Sequence, residues 1–307
     1  METNNKKNNI FSIIKNIFIV LILLQFVPSA IYNIKKAFTK YTQPKALVGQ
    51  INISGVITDS TFYVKNIKKF LRDPEIKALF VKIECPGGTP GSSQAVYEEL
   101  KKFKEEKPVV VLVENLCASG AYYIACAANQ IISPASSLIG SIGVYMQVPN
   151  VKELLDKWNI KFKFIKTGKF KTVGNPLEDI NSEEINYLQE LSNENYNQFT
   201  KDVAVSRKLD IKNVNIWADG QVFLATKALK LNLIDQIGSF TDAENTIKKL
   251  ANIETEIKFV QAQKKHGLLS LLTQDDDNDQ DLSLSSKIAT FLHEVYLNLV
   301  NKSNITI

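Results

Sequence analysis

Residues 108–128 read PVVVLVENLCASGAYYIACAA, a nearly pure β-branched run that passes through Ser119 into small residues. Val109, Val110, Val111, Leu112 and Val113 leave no polar face, which is the pattern of a strand covered on both sides. Beyond Cys117 the side chains shrink, and residues 119–128 read as a short helix packed close against a neighbour. A lone Ser at such a strand-to-helix junction is, by residue type, most simply a helix N-cap.

The same alternation extends outward in both directions. Upstream, residues 46–53 read as a strand, 62–71 as an amphipathic helix stopped by Asp73-Pro74, 78–83 as a strand and 92–103 as a helix. Downstream, strands are expected at 130–133, 142–146 and 160–167, with a helix at 151–158 between the last two. A long polar helix follows at 182–208, capped by Asn181 or Ser182 and carrying Glu183 and Glu184 in its first turn. A helix at 243–250 and a strand at 257–260 complete the series. Strand–helix alternation of this kind predicts an α/β fold with a mostly parallel sheet covered by helices. The acidic run at 275–281 reads as a solvated loop and 282–300 as a candidate last helix, so the chain divides into 1–40, 41–260 and 261–307.

With 307 residues, 45% apolar and 22% charged, the chain has ordinary globular proportions and room for a sizeable core. The net charge of +5 is concentrated at one end. Residues 1–40 hold Lys6, Lys7, Lys15, Lys35, Lys36 and Lys40 against Glu2 alone, and the remainder balances 31 basic with 31 acidic groups. A neutral body argues against nucleic-acid binding, which needs an excess of cations to neutralise phosphates. Between the lysines, residues 10–30 are apolar and long enough to span a bilayer as a helix. A retained anchor is expected over a cleaved signal, because Pro28 fits the small-residue cleavage pattern poorly. Three lysines on either side leave the orientation undecided by charge. Cys85, Cys117 and Cys126 lack metal-ligand spacing and read as small core residues.

Histidine, the commonest general base, occurs only at His266 and His293, beyond the last strong sheet signal. A Ser-His-Asp arrangement is therefore not expected, and no zinc-binding or phosphate-loop pattern occurs. Any acid–base chemistry near neutral pH falls to a carboxylate or a lysine. Two turns could host it. Glu84-Cys85-Pro86-Gly87-Gly88 ends one strand with paired glycines, able to present bare N–H groups to an oxyanion. Leu116 to Tyr123 ends the next strand with Ser119 among small residues, and in a parallel sheet the two turns would lie side by side.

These residues resemble the signal peptide peptidase A family (SppA, protease IV), membrane-associated serine peptidases of the ClpP/crotonase superfamily. Pro86-Gly87-Gly88 is similar to the family's PGG turn, and Ala118-Ser119-Gly120-Ala121-Tyr122-Tyr123-Ile124-Ala125 to its nucleophile segment. Ser137-Leu138-Ile139-Gly140-Ser141-Ile142-Gly143-Val144 and Thr167-Gly168-Lys169-Phe170-Lys171 resemble its later motifs, in the expected order, as does the region from Asp219-Gly220-Gln221-Val222 to Asp235. The resemblance runs from about residue 46 to 250 and suggests the short single-domain form.

It implies ClpP/crotonase-like repeated β-β-α units with a mostly parallel sheet, preceded by the transmembrane helix. It implies Ser119 as nucleophile, Lys171 as general base, and backbone N–H groups of Gly87, Gly88 and Gly120 as the oxyanion hole, with no metal or cofactor. Chemistry alone leaves Lys169 as a rival, since in an extended segment it would point the same way as Lys171. A lysine base must be desolvated, and Phe162, Phe164, Ile165, Phe170 and Val173 are the apolar neighbours expected to do it. The implied partners are hydrophobic peptides such as cleaved signal peptides, the membrane through residues 10–30, and copies of the same chain in a ring. The implied location is the cytoplasmic membrane, single-pass, with the catalytic domain on its outer face. Three departures stand out: Ala121 for a second Gly, Cys85 where Ser is common, and Gln221 where Arg is frequent. The alternatives are an inactive membrane scaffold of the same fold or a crotonase-like acyl-CoA enzyme.

Overall fold

The computed structural model describes residues 45–262 together with Ser29, Tyr32 and Lys35. The expected anchor at 10–30, Ser29 apart, and the expected last helix at 282–300 lie outside the described residues. Among those described, no helix is long and apolar enough to cross a membrane.

In chain order, β1 (Ala46–Ser54), α1 (Thr61–Arg72), β2 (Ile76–Cys85), α2 (Pro90–Glu106), β3 (Val109–Ala118) and α3 (Gly120–Ala125) form the first half. Then come β4 (Gln130–Ser133), β5 (Leu138–Gly140), α4 (Lys152–Lys157) and the long α5 (Ser182–Arg207). A 3-10 turn (Ile211–Asn213), α6 (Val214–Trp217), β6 (Val222–Leu224), α7 (Ala225–Lys230), β7 (Gln236–Ile237), α8 (Phe240–Leu250) and β8 (Ile257–Gln261) complete the series. The sheet runs β6-β5-β3-β2-β1-β8, with β4 paired to both β3 and β7. All its pairings are parallel except β5 with β6. The fold is thus mixed α/β with a mostly parallel sheet, as the alternation predicts.

The β-branched run owes its composition to burial on both sheet faces. Val109, Val111 and Val113 pack into the larger core with Val96, Leu100 and Phe103 of α2. Val110 and Leu112 face the opposite side, against Ala243 and Ile247 of α8. Each valine so covered contributes roughly 2 kcal/mol of hydrophobic stabilisation. The strand extends beyond the expected end at 113, because one edge of β3 serves two partners. Residues 110–112 pair with β4, and 116–118 pair with β5.

Two expected strands are absent. The expected strand at 142–146 is replaced by the shorter β5 just before it, which Gly140 (φ 112°) and Ser141 (φ 50°) end by turning the chain off the sheet edge. Residues 160–167 alternate as a strand should, yet no neighbouring edge is offered to them and they carry no ladder. Ile165 is 97% exposed and Phe162 56%. The expected helix at 119–128 stops at Ala125, where the N–H groups of Ala127 and Ala128 close tighter bonds to Ile124 O (3.2 Å) and Ala125 O (3.0 Å). In α5 the cap is Asn181: its side chain accepts from Glu183 N and Glu184 N, each at 3.0 Å, while Glu184 returns a bond to the Asn181 N–H (3.1 Å).

Candidate active site

Adjacent parallel strands bring the two glycine- and serine-bearing turns together. Cys85 on β2 stands opposite Cys117 on β3, so Gly87 and Ser119 follow at equal steps from a shared register. Ser119 occupies φ 53°, ψ −124°, a backbone region that side-chain-bearing residues seldom enter. Such a conformation costs on the order of 1–3 kcal/mol and persists only where its surroundings enforce it. Here the Ser119 N–H donates to Gly140 O (2.7 Å), and the Ser119 carbonyl accepts from the Tyr123 N–H (3.0 Å). The result is a sharp strand–Ser–helix turn that lifts a hydroxyl to the end of the sheet. No side-chain capping bond forms at Ser119, so the N-cap reading does not describe this hydroxyl.

The glycines are required by close approach. A Cβ on Gly87 would sit 2.8 Å from both Ala118 O and Gly120 N, and φ at Gly87 is 109°. A Cβ on Gly88 would overlap the Ile57 carbonyl, and one on Gly120 would overlap Ser93 Oγ and come within 3.2 Å of Gly88 N. The amides of this turn have different occupations. Gly87 N–H donates to Cys85 Sγ (3.3 Å), and the same thiol donates to Gly55 O (2.9 Å). Gly88 forms a parallel bridge with Ile57, in which Ile57 N donates to Gly87 O (2.9 Å) and Thr89 N to Ile57 O (2.8 Å). In such a bridge the N–H of Gly88 itself points to the other side, where Gly120 opens α3. The amides of Gly88 and of Gly120, the first residue of a helix, thus lie close together beside Ser119.

A cleft of about 840 Å³ opens in front of this turn, bordered by Gly88, Ser119, Ser141, Tyr145, Tyr196 and Asp219 among others. Tyr196 donates to Ala218 O (2.6 Å), fixing α5 against the strand-end loop. Asp219 is the cleft's carboxylate, and no lysine, arginine or histidine of the described residues borders it. Lys171 lies in an exposed turn, its backbone N–H donating to Gly168 O (3.3 Å). Lys169 pairs with Glu183 and lies over the Phe170 ring (5.7 Å). The structure therefore brings Gly87, Gly88, Ser119 and Gly120 together and leaves both candidate lysines outside that group. The apolar residues expected to desolvate Lys171 do not enclose it, since Phe162, Ile165 and Phe170 are themselves exposed.

Three residues at the site escaped the sequence reading. Ser141, at positive φ, borders the cleft and donates its N–H to Gln221 O (2.7 Å). Tyr123, one turn into α3, donates to Asp202, and burial together with that carboxylate pushes its phenol well above the ordinary range. Ser93 is fully buried near Gly120. Tyr123 and Ser141 lie within quoted motifs that assign them no role, and Ser93 lies in no motif at all.

A hydroxyl on a strained strand-to-helix turn, beside two closely approaching glycines at the end of an α/β sheet, is an arrangement able to support acyl transfer. Residues 101–254 match Peptidase family S49. A protein of Methanocaldococcus jannaschii, MJ0651, with a provisional protease name, is 34% identical over 214 residues, covering 69% of this chain and 69% of its own length. One of Synechocystis, slr0021, similarly named, is 35% identical over 218 residues, covering 70% of this chain and 78% of its own. An Enterococcus faecium protein provisionally named signal peptide peptidase SppA is 28% identical over 214 residues, covering 65% of this chain and 62% of its own. This chain belongs to peptidase family S49.

Proposed function

We propose that the chain is a membrane-anchored serine endopeptidase in which Ser119 attacks the scissile carbonyl and Lys171 takes the hydroxyl proton. The N–H groups of Gly88 and Gly120 hold the oxyanion, and Gly87 shapes the turn rather than donating, because the Cys85 thiol already accepts its N–H. The observation that carries this reading is the Ser119 turn at φ 53°, set against two glycine amides. The mostly parallel sheet and this strand–turn–helix site support a ClpP/crotonase-like arrangement. The substrates are hydrophobic peptides such as cleaved signal peptides, which suits a neutral body tethered by residues 10–30. The body stands on the outer face of the cytoplasmic membrane, and the reaction needs no metal or cofactor.

Because Lys171 does not border the cleft of its own chain, the reading includes a second copy that supplies it, within a ring of such copies. Burying the exposed Phe162, Ile165 and Phe170 in that interface would also desolvate the lysine. The test is hydrolysis of an unstructured hydrophobic peptide by the detergent-solubilised full chain. Ser119→Ala and Lys171→Ala should each lose about 10⁴-fold or more in kcat. Mixing the two inactive variants should restore activity, because a mixed interface rejoins an intact Ser119 with an intact Lys171. Full activity in either variant alone would remove that residue from the mechanism. An inactive mixture beside an active wild type would place both groups in one chain.

A further inference from the structure

Helix α8 covers only part of one face of the sheet. Val48, Phe80, Val110 and Leu112 pack there with Ala243 and Ile247. Followed toward Ser119, the same face continues through Asn52 on β1, Lys82 and Glu84 on β2, and Glu114 and Leu116 on β3. Leu116 stands beside Leu138 of β5, and Leu138 beside Leu224 of β6. Three leucines thus form a row across three strands. Their chain neighbours Cys117, Ile139 and Phe223 point through the sheet and are buried in the larger core. The row itself is open, with Leu138 40% and Leu224 52% exposed.

Contiguous apolar side chains on an uncovered sheet face mark a contact surface. Position and charge name its occupant. Two residues beyond Leu138, the Gly140 carbonyl accepts the Ser119 N–H (2.7 Å), so the row lies about 7 Å along β5 from the support of the nucleophile turn. A segment seated there arrives beside a cleft that is bordered by Asp219 and by no lysine. The face around the row is acidic on balance, because Glu84 and Glu114 flank a single lysine, Lys82, which is paired with Glu114 (2.7 Å). Segment 157–171 is the complement: it carries six lysines and no acidic residue, interleaved with the exposed Trp158, Phe162 and Ile165. Its rings and Ile165 match the leucines, and its lysines match the carboxylates. A ring that repeats one contact also needs two different patches on every chain, one for each neighbour. Segment 157–171 cannot fill both parts, since two such segments would repel each other.

We propose that the row Leu116, Leu138 and Leu224 receives segment 157–171 of a second copy and so seats the partner's Lys171 at the cleft. The proposal rests on the shared-site peptidase reading above and names the surface through which that site takes its partner.

The test mixes detergent-solubilised full-length variants in pairs and assays them on the unstructured hydrophobic peptide. Lys171→Ala with Ser119→Ala sets the reference recovery. Leu224→Lys added to the Lys171→Ala chain, which supplies Ser119 and receives the segment, should cut that recovery about tenfold or more, because it sets like charges against each other. Leu224→Lys added instead to the Ser119→Ala chain, which only donates Lys171, should leave the recovery unchanged and shows that the substituted chain folds. Equal recovery from both placements would overturn the proposal. So would a loss in both, since the substitution would then act on the fold rather than on the receiving side. No recovery in the reference pair beside an active wild type would remove the shared lysine and the proposal with it, while the peptidase reading stands. An inactive wild type whose Ser119 takes no label from a fluorophosphonate would instead overturn the peptidase reading itself.

Discussion

Ser119 and Gly88 show how much chemistry a single backbone angle can carry. A serine in the extended dihedrals usual for an N-cap would turn its hydroxyl onto the first amides of α3, whereas at φ 53° the carbonyl still accepts the first helical bond but no side-chain capping bond forms, and the hydroxyl borders the cleft. The neighbouring thiol has a comparable part. Cys85 reads from sequence as a core cysteine and a departure from the serine common there, and it is indeed buried, with burial pushing its thiol above the usual range. Its bonds to Gly55 O and from Gly87 N are visible only once the turn is folded. They make it a positioning residue for the oxyanion turn. Cys85→Ala should lower kcat about tenfold at unchanged KM, a misplacement effect smaller than loss of an oxyanion donor. Cys85→Ser, which keeps both bonds, should recover most of that loss. Steady-state kinetics of the two variants decide it: equal rates, or a change confined to KM, would leave Cys85 a packing residue.

Helix α5 and the two absent strands mark where local signals suffice and where they fail. The capping box at Asn181 and Glu184 is complete within four residues, so sequence alone locates the start of α5. Asn181→Ala should cost about 1 kcal/mol of unfolding free energy, and Asn181→Ser should recover most of it, as measured by chemical denaturation. No difference between Asn181→Ala and wild type would mean the first turn of α5 is held by packing instead. Residues 160–167 have an equally clear period, yet a strand exists only if an edge accepts its hydrogen bonds, and alternation says nothing of edges. At 142–146 the left-handed turns of Gly140 and Ser141 end the pairing before the apolar run begins.

At the scale of the molecule, the segment from 157 to 171 reads KWNIKFKFIKTGKFK, with six lysines and no acidic residue in a body that is neutral only as a whole. Trp158 is 67% exposed there. Exposed apolar side chains on a lysine-rich segment, in a chain whose cleft is bordered by no lysine, are what the proposed contact between copies would cover. Activity should therefore depend on concentration. Specific activity of the wild type should fall as dilution separates the copies, with light scattering recorded on the same samples. Constant specific activity through the range where scattering reports single chains would show that one chain suffices. The excess of +5 has no part in this, since it resides in residues 1–40.

The order of strands and helices from β1 to β4, the doubly covered β3, the cap of α5 and the pairing of a glycine turn with a serine turn were all legible in the sequence. Each depends on side-chain volume, periodicity or capping chemistry acting over a few residues. Tertiary structure decided which amides of the turn are free, that Ser93 is buried without a partner, and that Lys171 stands apart from Ser119. Those outcomes depend on residues 30 or more positions away in the chain, such as Gly55 against Cys85, and on which surfaces find a partner. Local pattern specifies what a segment can form, and the surroundings decide which hydrogen-bonding groups are left for chemistry.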